Sequence, residues 1–248
     1  MVSPILSEFV KANASFSSTP IRPFDTMPTF DVQKHWDGDS TPAALAELSR
    51  TVAAVLPNSG ARTPVIEAAI FMASLMHDCG YYYGGTAANR AEVDELFRKQ
   101  IVYFATMLDP TAADAATRTA AVDEVAVQFG GGRPFDEPYS WSFGFEDLAE
   151  RGYRPLAAGQ EEKIRKHKQN VFRDAVRAIT TQPGAFGVDS AIEPKLSTMK
   201  PVDRRATVEQ INRLCSLLNA RLNPQDTSND KGWQPSSRSL NLIPGFET

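Results

Sequence analysis

A histidine and two aspartates are the residues of this chain whose types and spacing point to chemistry. His77 and Asp78 are adjacent, and Asp94 follows His77 by 17 positions. On one straight helix this spacing corresponds to about 25 Å, which is too far for contact. The glycines at positions 80, 84 and 85 permit a tight reversal instead. We therefore predict two antiparallel helices on which Asp94 faces His77.

Such a pair could transfer protons. A carboxylate bound to one imidazole nitrogen fixes the tautomer and leaves the other nitrogen free to take a proton from water. His77 lies on the apolar face of its predicted helix, and Asp94 lies beside the apolar stripe of the next, where a carboxylate is costly unless paired. We predict a catalytic dyad whose imidazole is open to solvent. The alternative is a buried polar cluster that only pins two helices together.

The elements that must position these residues are helices. Helical periodicity dominates residues 41 to 130, and the sequence predicts an all-α fold with irregular connections. The predicted helices run from Thr41 to Pro57, from Thr63 to stops at Gly80 and then Gly84-Gly85, and over about 87–108, 112–129, 158–181 and 202–222. The fourth is expected to bury Val122, Val125 and Phe129.

The helix pattern also predicts the organisation of the chain. We expect an N-terminal arm over 1–40, a helical core over 41–157 and C-terminal helices packed on that core over 158–222. Residues 223–248 are poor in periodic apolar residues, so we expect an extended or disordered tail.

Composition narrows the class of protein. The net charge of -4 argues against a nucleic-acid partner, and no apolar run reaches the roughly 20 residues of a transmembrane helix. The N-terminal residues lack the pattern of a standard secretory signal. Cys79 and Cys215 are interpreted as reduced thiols, with a disulfide between them left open. We expect a cytoplasmic protein, or one exported without a standard signal peptide.

The motif around the pair resembles the prokaryotic phospholipase A2 family over about residues 56–104. The shared patterns are H-D-x-G-Y, starting at His77, and A-N-R-x-x-x-D-x-x-F, starting at Ala88. The resemblance implies that His77 is the general base that activates water on a glycerophospholipid ester, and that Asp94 orients it. It also implies that Asp78 helps to hold a calcium ion, which stabilises the oxyanion.

The chain departs from this family at the loop that usually supplies calcium ligands. That loop falls near residues 56–60, which contain no Asp or Glu, and Asn58 is the side chain that would take the place of the missing carboxylate. Tyr81 and Tyr82 are candidates for lining a lipid entrance, and Tyr82 could instead hydrogen-bond the aspartate at i-4. Packing in the core and at its rim is the favoured alternative for both.

Three functions follow from these patterns. The leading hypothesis is a phospholipase A2-like ester hydrolase that acts on a phospholipid or another lipid ester, with calcium as its cofactor. The second is a non-catalytic helical binding or scaffold protein that retains the hairpin. The third is a metal-dependent phosphohydrolase of the HD type, for which His35 is the only upstream candidate ligand. No G-x-S-x-G motif supports a serine esterase.

Overall fold

A computed structural model describes residues 29–36, 62–131, 143–146, 149–150, 155–181, 201–222 and 243–246. Within these ranges the fold is all-α, as predicted. The helices are α1 (Val32–His35), α2 (Pro64–Tyr83), α3 (Ala87–Leu108), α4 (Ala113–Gly130), α5 (Gln160–Thr181) and α6 (Pro201–Leu222), with a 3-10 turn at Pro110–Ala112. Two-residue strands, β1 (Phe145–Glu146) and β2 (Ala149–Glu150), pair antiparallel. Among the described helices, none combines the length and apolar character that crossing a bilayer requires.

Helix α2 begins as predicted and ends at the second of its two predicted stops. The Thr63 hydroxyl caps it by accepting from the backbone N–H of Ile66 at 3.3 Å, and Pro64 follows the cap. The helix runs through Gly80 to Tyr83 and ends at Gly84, where φ is +70°. Gly80, the first predicted stop, lies inside the helix, where a Cβ atom would come within 2.8 Å of Val93. Glycine at this position therefore lets α2 and α3 pack closely together.

The core of the molecule surrounds α2. This helix contacts α1, α3, α5 and α6, and it is buried on nearly every side. A helix that is apolar all round belongs in a core. Its largest fully buried side chains are those of Ile66, Ile70, Met72, Leu75, Met76 and Tyr83.

Helix α3 joins α2 to α4. Its predicted apolar stripe is buried, namely Val93, Phe97, Ile101, Phe104 and Leu108.

The predicted face of α4 is wrong at Val125, whereas Val122 is half-buried and the side chain of Phe129 lies outside the described residues. Val125 is 57% exposed, whereas Ala116 and Ala120 are buried in the core. Asp123 is also buried on this helix. Arg62 donates to its carboxylate at 2.7 Å, which compensates for the burial. Small residues and one paired carboxylate form the packed face, and a search for large apolar residues could not find it.

The C-terminal helices pack on the core. Helices α5 and α6 contact each other and α2, and their buried residues belong to the same apolar cluster. Cys79 and Cys215 are both buried and both free. The predicted helix at 41–57 lies outside the described residues.

One described piece of the expected tail is packed. Ile243 and Phe246 are buried in the main core, and Phe246 lies edge-on to Phe172 with ring centroids 5.8 Å apart. The amide of Gln100 on α3 donates to the carbonyl of Pro244 at 2.8 Å. This segment of the chain therefore contributes to the core.

Candidate functional site

The central contact of the site joins α2 to α3. Nε2 of His77 lies 3.2 Å from Oδ1 of Asp94. The two side chains are buried, with 8% and 1% of their surfaces exposed. Neighbouring contacts pair rising residue numbers on α2 with falling numbers on α3, since Gly80 meets Val93 and Tyr81 meets Arg90. The short connection Gly84–Thr86 brings the aspartate back to the histidine.

The turn that makes this possible is specified by its residues. Gly84 and Gly85 both have positive φ, at +70° and +141°, a region that side chains disfavour. Thr86 then caps α3 by accepting from the backbone N–H of Asn89 at 3.2 Å, and Asn89 accepts from the backbone of Thr86 at 3.0 Å. This reciprocal capping box fixes where α3 starts, and therefore the register of Asp94.

Two further side chains hold the Asp94 carboxylate. The hydroxyl of Tyr81 donates to Oδ1 at 2.7 Å, and Nε of Arg90 lies 3.7 Å from Oδ2. Arg90 also lies 3.4 Å from the Tyr81 hydroxyl, measured from Nε. Both residues are buried. A hydrogen bond to Oδ1 and the positive charge of Arg90 near Oδ2 compensate for the burial of this charge.

Tyr81 is in turn fixed by the end of α4 and by the segment at 143–144. A Cβ atom at Gly131 would overlap its hydroxyl, so the phenol occupies space that only a glycine leaves open. The backbone N–H of Gly144 donates to the Tyr81 carbonyl at 2.7 Å, and the Phe143 ring packs edge-on against the phenol at 5.3 Å. The phenol therefore has a defined position.

The second nitrogen of His77 faces Asp78. Nδ1 lies 3.5 Å from Oδ1 of Asp78, whose side chain is 19% exposed. Burial lowers the pKa of His77, but the hydrogen bonds and charges of Asp78 and Asp94 outweigh it and raise the pKa from 6.5 to about 9. The ring is therefore charged at neutral pH and must lose a proton before it can act as a base.

The imidazole is not open to solvent, contrary to the sequence prediction. Its ring packs against Tyr81 at 4.1 Å and against Phe97 at 4.7 Å between centroids. Its position on the apolar face of a central helix accounts for this burial. His77 thus contributes to packing as well as to the polar network.

The two tyrosines of the predicted lipid entrance have different surroundings. The hydroxyl of Tyr81 donates to Asp94. Tyr82 lies in an aromatic cluster, with centroid distances of 5.6 Å to Phe30 and 4.6 Å to His35. His35 therefore packs on an aromatic ring at the end of α2.

Sequence reasoning missed the roles of Arg90 and Gly131. Arg90 precedes Asp94 by four positions on a helix, a spacing that places a cation beside a carboxylate. That signal was available in the sequence. Nothing local shows that Gly131 makes room for Tyr81, because the contact depends on how α4 packs.

The described residues do not by themselves form a calcium site. They contain no group of three or more His, Cys, Asp or Glu side chains arranged to hold a metal ion. Calcium takes six to eight oxygen ligands, and Asp78 beside His77 is one carboxylate. Asn58 lies outside the described residues. The same observation leaves the HD-type metal centre without support in this part of the chain.

Comparison with protein families, with curated proteins and with solved structures gives no match for this chain.

Proposed function

We propose that the protein is an ester hydrolase of the phospholipase A2 type, in which His77 activates water and Asp94 orients His77. The observation that carries this proposal is the 3.2 Å contact between Nε2 of His77 and Asp94, with Tyr81 bonded to the same carboxylate oxygen. A histidine held in this way by a carboxylate is the arrangement that general-base catalysis needs.

The chemistry proceeds from the neutral ring. Asp94 then keeps the proton on Nε2, and the lone pair lies on Nδ1, which faces Asp78. Water reaches the ring from the Asp78 side, since this side chain is more exposed than His77 or Asp94. Nδ1 takes the proton as the water oxygen attacks the ester carbonyl, and Asp94 stabilises the imidazolium that forms. The imidazolium then returns this proton to the alcohol oxygen as the ester C–O bond breaks, which releases the alcohol and the fatty acid and leaves the ring neutral. No step requires a covalent nucleophile.

The substrate class comes from the sequence motif. The patterns at 77–81 and 88–97 resemble a family that cleaves glycerophospholipid esters, so a phospholipid or another lipid ester is the proposed substrate. The described residues alone do not supply the ligands of a calcium ion.

A release assay on mixed-chain phospholipids tests the proposal. The parent and His77→Asn are compared with calcium and with chelator, and His167→Asn serves as a matched control on α5. We expect His77→Asn to lose about 10²- to 10⁴-fold in the rate of hydrolysis, because it removes the general base. We expect His167→Asn to keep the rate of the parent. Equal background release by all three proteins under both conditions would reject the hydrolase.

A non-catalytic scaffold is the second candidate, and one observation favours it. His77 is 8% exposed and charged at neutral pH, so its pair with Asp94 also pins α2 to α3. A scaffold would show no ester hydrolysis, whereas His77→Asn would lower its melting temperature. The same assay combined with thermal unfolding therefore separates the two functions.

A further inference from the structure

We propose that Arg90 is a positioning residue that ties the C-terminal end of α4 to the Asp94 carboxylate, and through it to His77. The positioning follows from the contacts of Arg90, whereas its consequence for catalysis rests on the proposed hydrolase function. Arg90 is buried on α3, between the site and α4.

One side of the guanidinium faces the site. Nε lies 3.7 Å from Oδ2 of Asp94 and 3.4 Å from the Tyr81 hydroxyl, which itself donates to Oδ1 of Asp94. Arg90 and Tyr81 thus contact different oxygens of one carboxylate and also contact each other. This triangle restricts rotation of the carboxylate that contacts Nε2 of His77.

The other side of the guanidinium faces α4. Nη2 donates to the carbonyl of Val127 at 3.1 Å and to the carbonyl of Gln128. The last carbonyls of a helix lack partners within the helix, and the negative end of the helix dipole favours a cation there. Arg90 therefore caps α4 and contacts Asp94 at the same time.

Arginine is suited to this double contact because its donors are fixed in one plane. A lysine ammonium carries a comparable charge but is a single point on a flexible stem. Placed at position 90, it can reach the α4 carbonyls or Asp94, and it cannot hold both in one fixed geometry. The substitution Arg90→Lys therefore separates the charge from the positioning.

The chain offers a matched control on the same two helices. Nε of Arg98 on α3 lies 3.0 Å from Oε2 of Glu124 on α4. Arg98 is about one-third exposed, and its pair joins the same helices away from Asp94. Arg98→Lys perturbs the contact between α3 and α4 without altering the contacts of Asp94.

The test observes the imidazole N–H proton of His77 that faces Asp94, by proton–nitrogen NMR on the full-length chain. In the parent and in Arg98→Lys we expect the same protected downfield signal. In Arg90→Lys we expect it to shift or to broaden beyond detection, with helix content retained. This readout reports the geometry of the pair and does not require catalysis.

The second readout is ester hydrolysis by the same three proteins. Arg90→Lys should lose about 10²-fold in kcat with KM nearly unchanged, since misplacing an orienting group by about 1 Å has an effect of this size. A parent without hydrolase activity would reject the proposed function, and the NMR signal would still decide the positioning role.

The proposal is overturned if Arg90→Lys keeps the parent imidazole signal. It is also overturned if both Arg90→Lys and the uncharged Arg90→Gln lose their helix content. In that case Arg90 would support the fold as a whole.

Discussion

At the scale of the residue, Asp94 is a nearly inaccessible carboxylate that several donors surround. His77 and Tyr81 contact Oδ1, and Arg90 approaches Oδ2. Removing one partner of such a buried group leaves the others without compensation, which is costlier than the loss of a single hydrogen bond. The stability of the site therefore depends on this one side chain.

Replacing Asp94 should destabilise the fold in a graded way. We expect Asp94→Ala to lower the free energy of unfolding by about 3 kcal/mol, because it leaves the buried groups of His77 and Arg90 without their partner. Asp94→Asn should lower the free energy of unfolding by less, since its amide oxygen can still accept a hydrogen bond from Tyr81. Urea unfolding measures both. Glu95→Ala removes an exposed pair with Lys99 and should unfold at nearly the same urea concentration as the parent. Equal stability of all four proteins would show that Asp94 is solvated.

The raised pKa of His77 makes stability depend on pH. Because the folded-state pKa of about 9 lies above the unfolded value of 6.5, the charged ring stabilises the fold fully below pH 6.5. This contribution, about 3 kcal/mol, is lost as the pH rises from 6.5 through 9. The difference in unfolding free energy between the parent and His77→Gln, measured against pH, should follow this curve.

An internal control comes from NMR titration of the histidines. Burial lowers the pKa of His167, so this residue should titrate below 6.5 while His77 titrates near 9. A His77 midpoint at or below 6.5 would mean that Asp78 and Asp94 do not act on the ring as described.

The residue patterns predicted the main contact but not its surroundings. The His77-Asp94 contact could be predicted because two helices with glycines between them can meet in few ways. The contacts of Arg90 with the α4 carbonyls and of Tyr81 with Gly131 could not be, since they depend on where α4 lies against α3.

At the scale of the element, α2 and α3 approach closely at one glycine. A Cβ atom on Gly80 would lie 2.8 Å and 2.9 Å from the two methyl groups of Val93. Val93 is buried and branched at Cβ, so it cannot easily move aside. The sequence suggested helix ends at Gly80 and then at Gly84-Gly85, because glycine is common at helix ends. The helix ends at Gly84, and packing against α3 explains the glycine inside it at position 80.

Gly80→Ala should therefore destabilise the hairpin despite the better helix propensity of alanine. We expect a loss of about 1 to 3 kcal/mol from overpacking, which exceeds the roughly 0.5 to 1 kcal/mol that alanine gains in a helix. The double variant Gly80→Ala/Val93→Ala should lose less than the sum of the single variants, because it relieves the overlap. Chemical denaturation of the four proteins in this cycle gives the coupling. Additive losses in unfolding free energy would mean that α2 and α3 lie further apart than the structure shows.

At the scale of the whole molecule, the core is built around α2, and the segment at 243–246 completes it. Phe246 packs on Phe172, and Gln169 on α5 donates to the carbonyl of Gly245 at 2.9 Å. The sequence around this segment lacks helical periodicity, so pattern analysis could not identify it as part of a core. Its packing depends on where α3 and α5 lie.

Phe246→Ala tests whether this segment belongs to the folded core. We expect Phe246→Ala to lower the free energy of unfolding by about 3 to 5 kcal/mol, which is the usual effect of truncating a buried aromatic side chain to alanine. Leu217→Ala, at a position that is 37% exposed on α6, should change stability by about 0.5 kcal/mol. Thermal unfolding compares the two. Equal melting temperatures for Phe246→Ala and the parent would show that the segment is not docked.

The central claim is that the His77 imidazole is the base of an ester hydrolase. Its most direct test is the pH dependence of phospholipid hydrolysis, measured in the same buffer as the NMR titration of His77. The background rate of His77→Asn is subtracted at each pH. Because the ring accepts a proton only when neutral, the rate should rise with pH, and its midpoint should coincide with the NMR pKa of His77, near 9. A rate that is independent of pH across this range, or a midpoint that differs from the measured pKa of His77, would contradict the account.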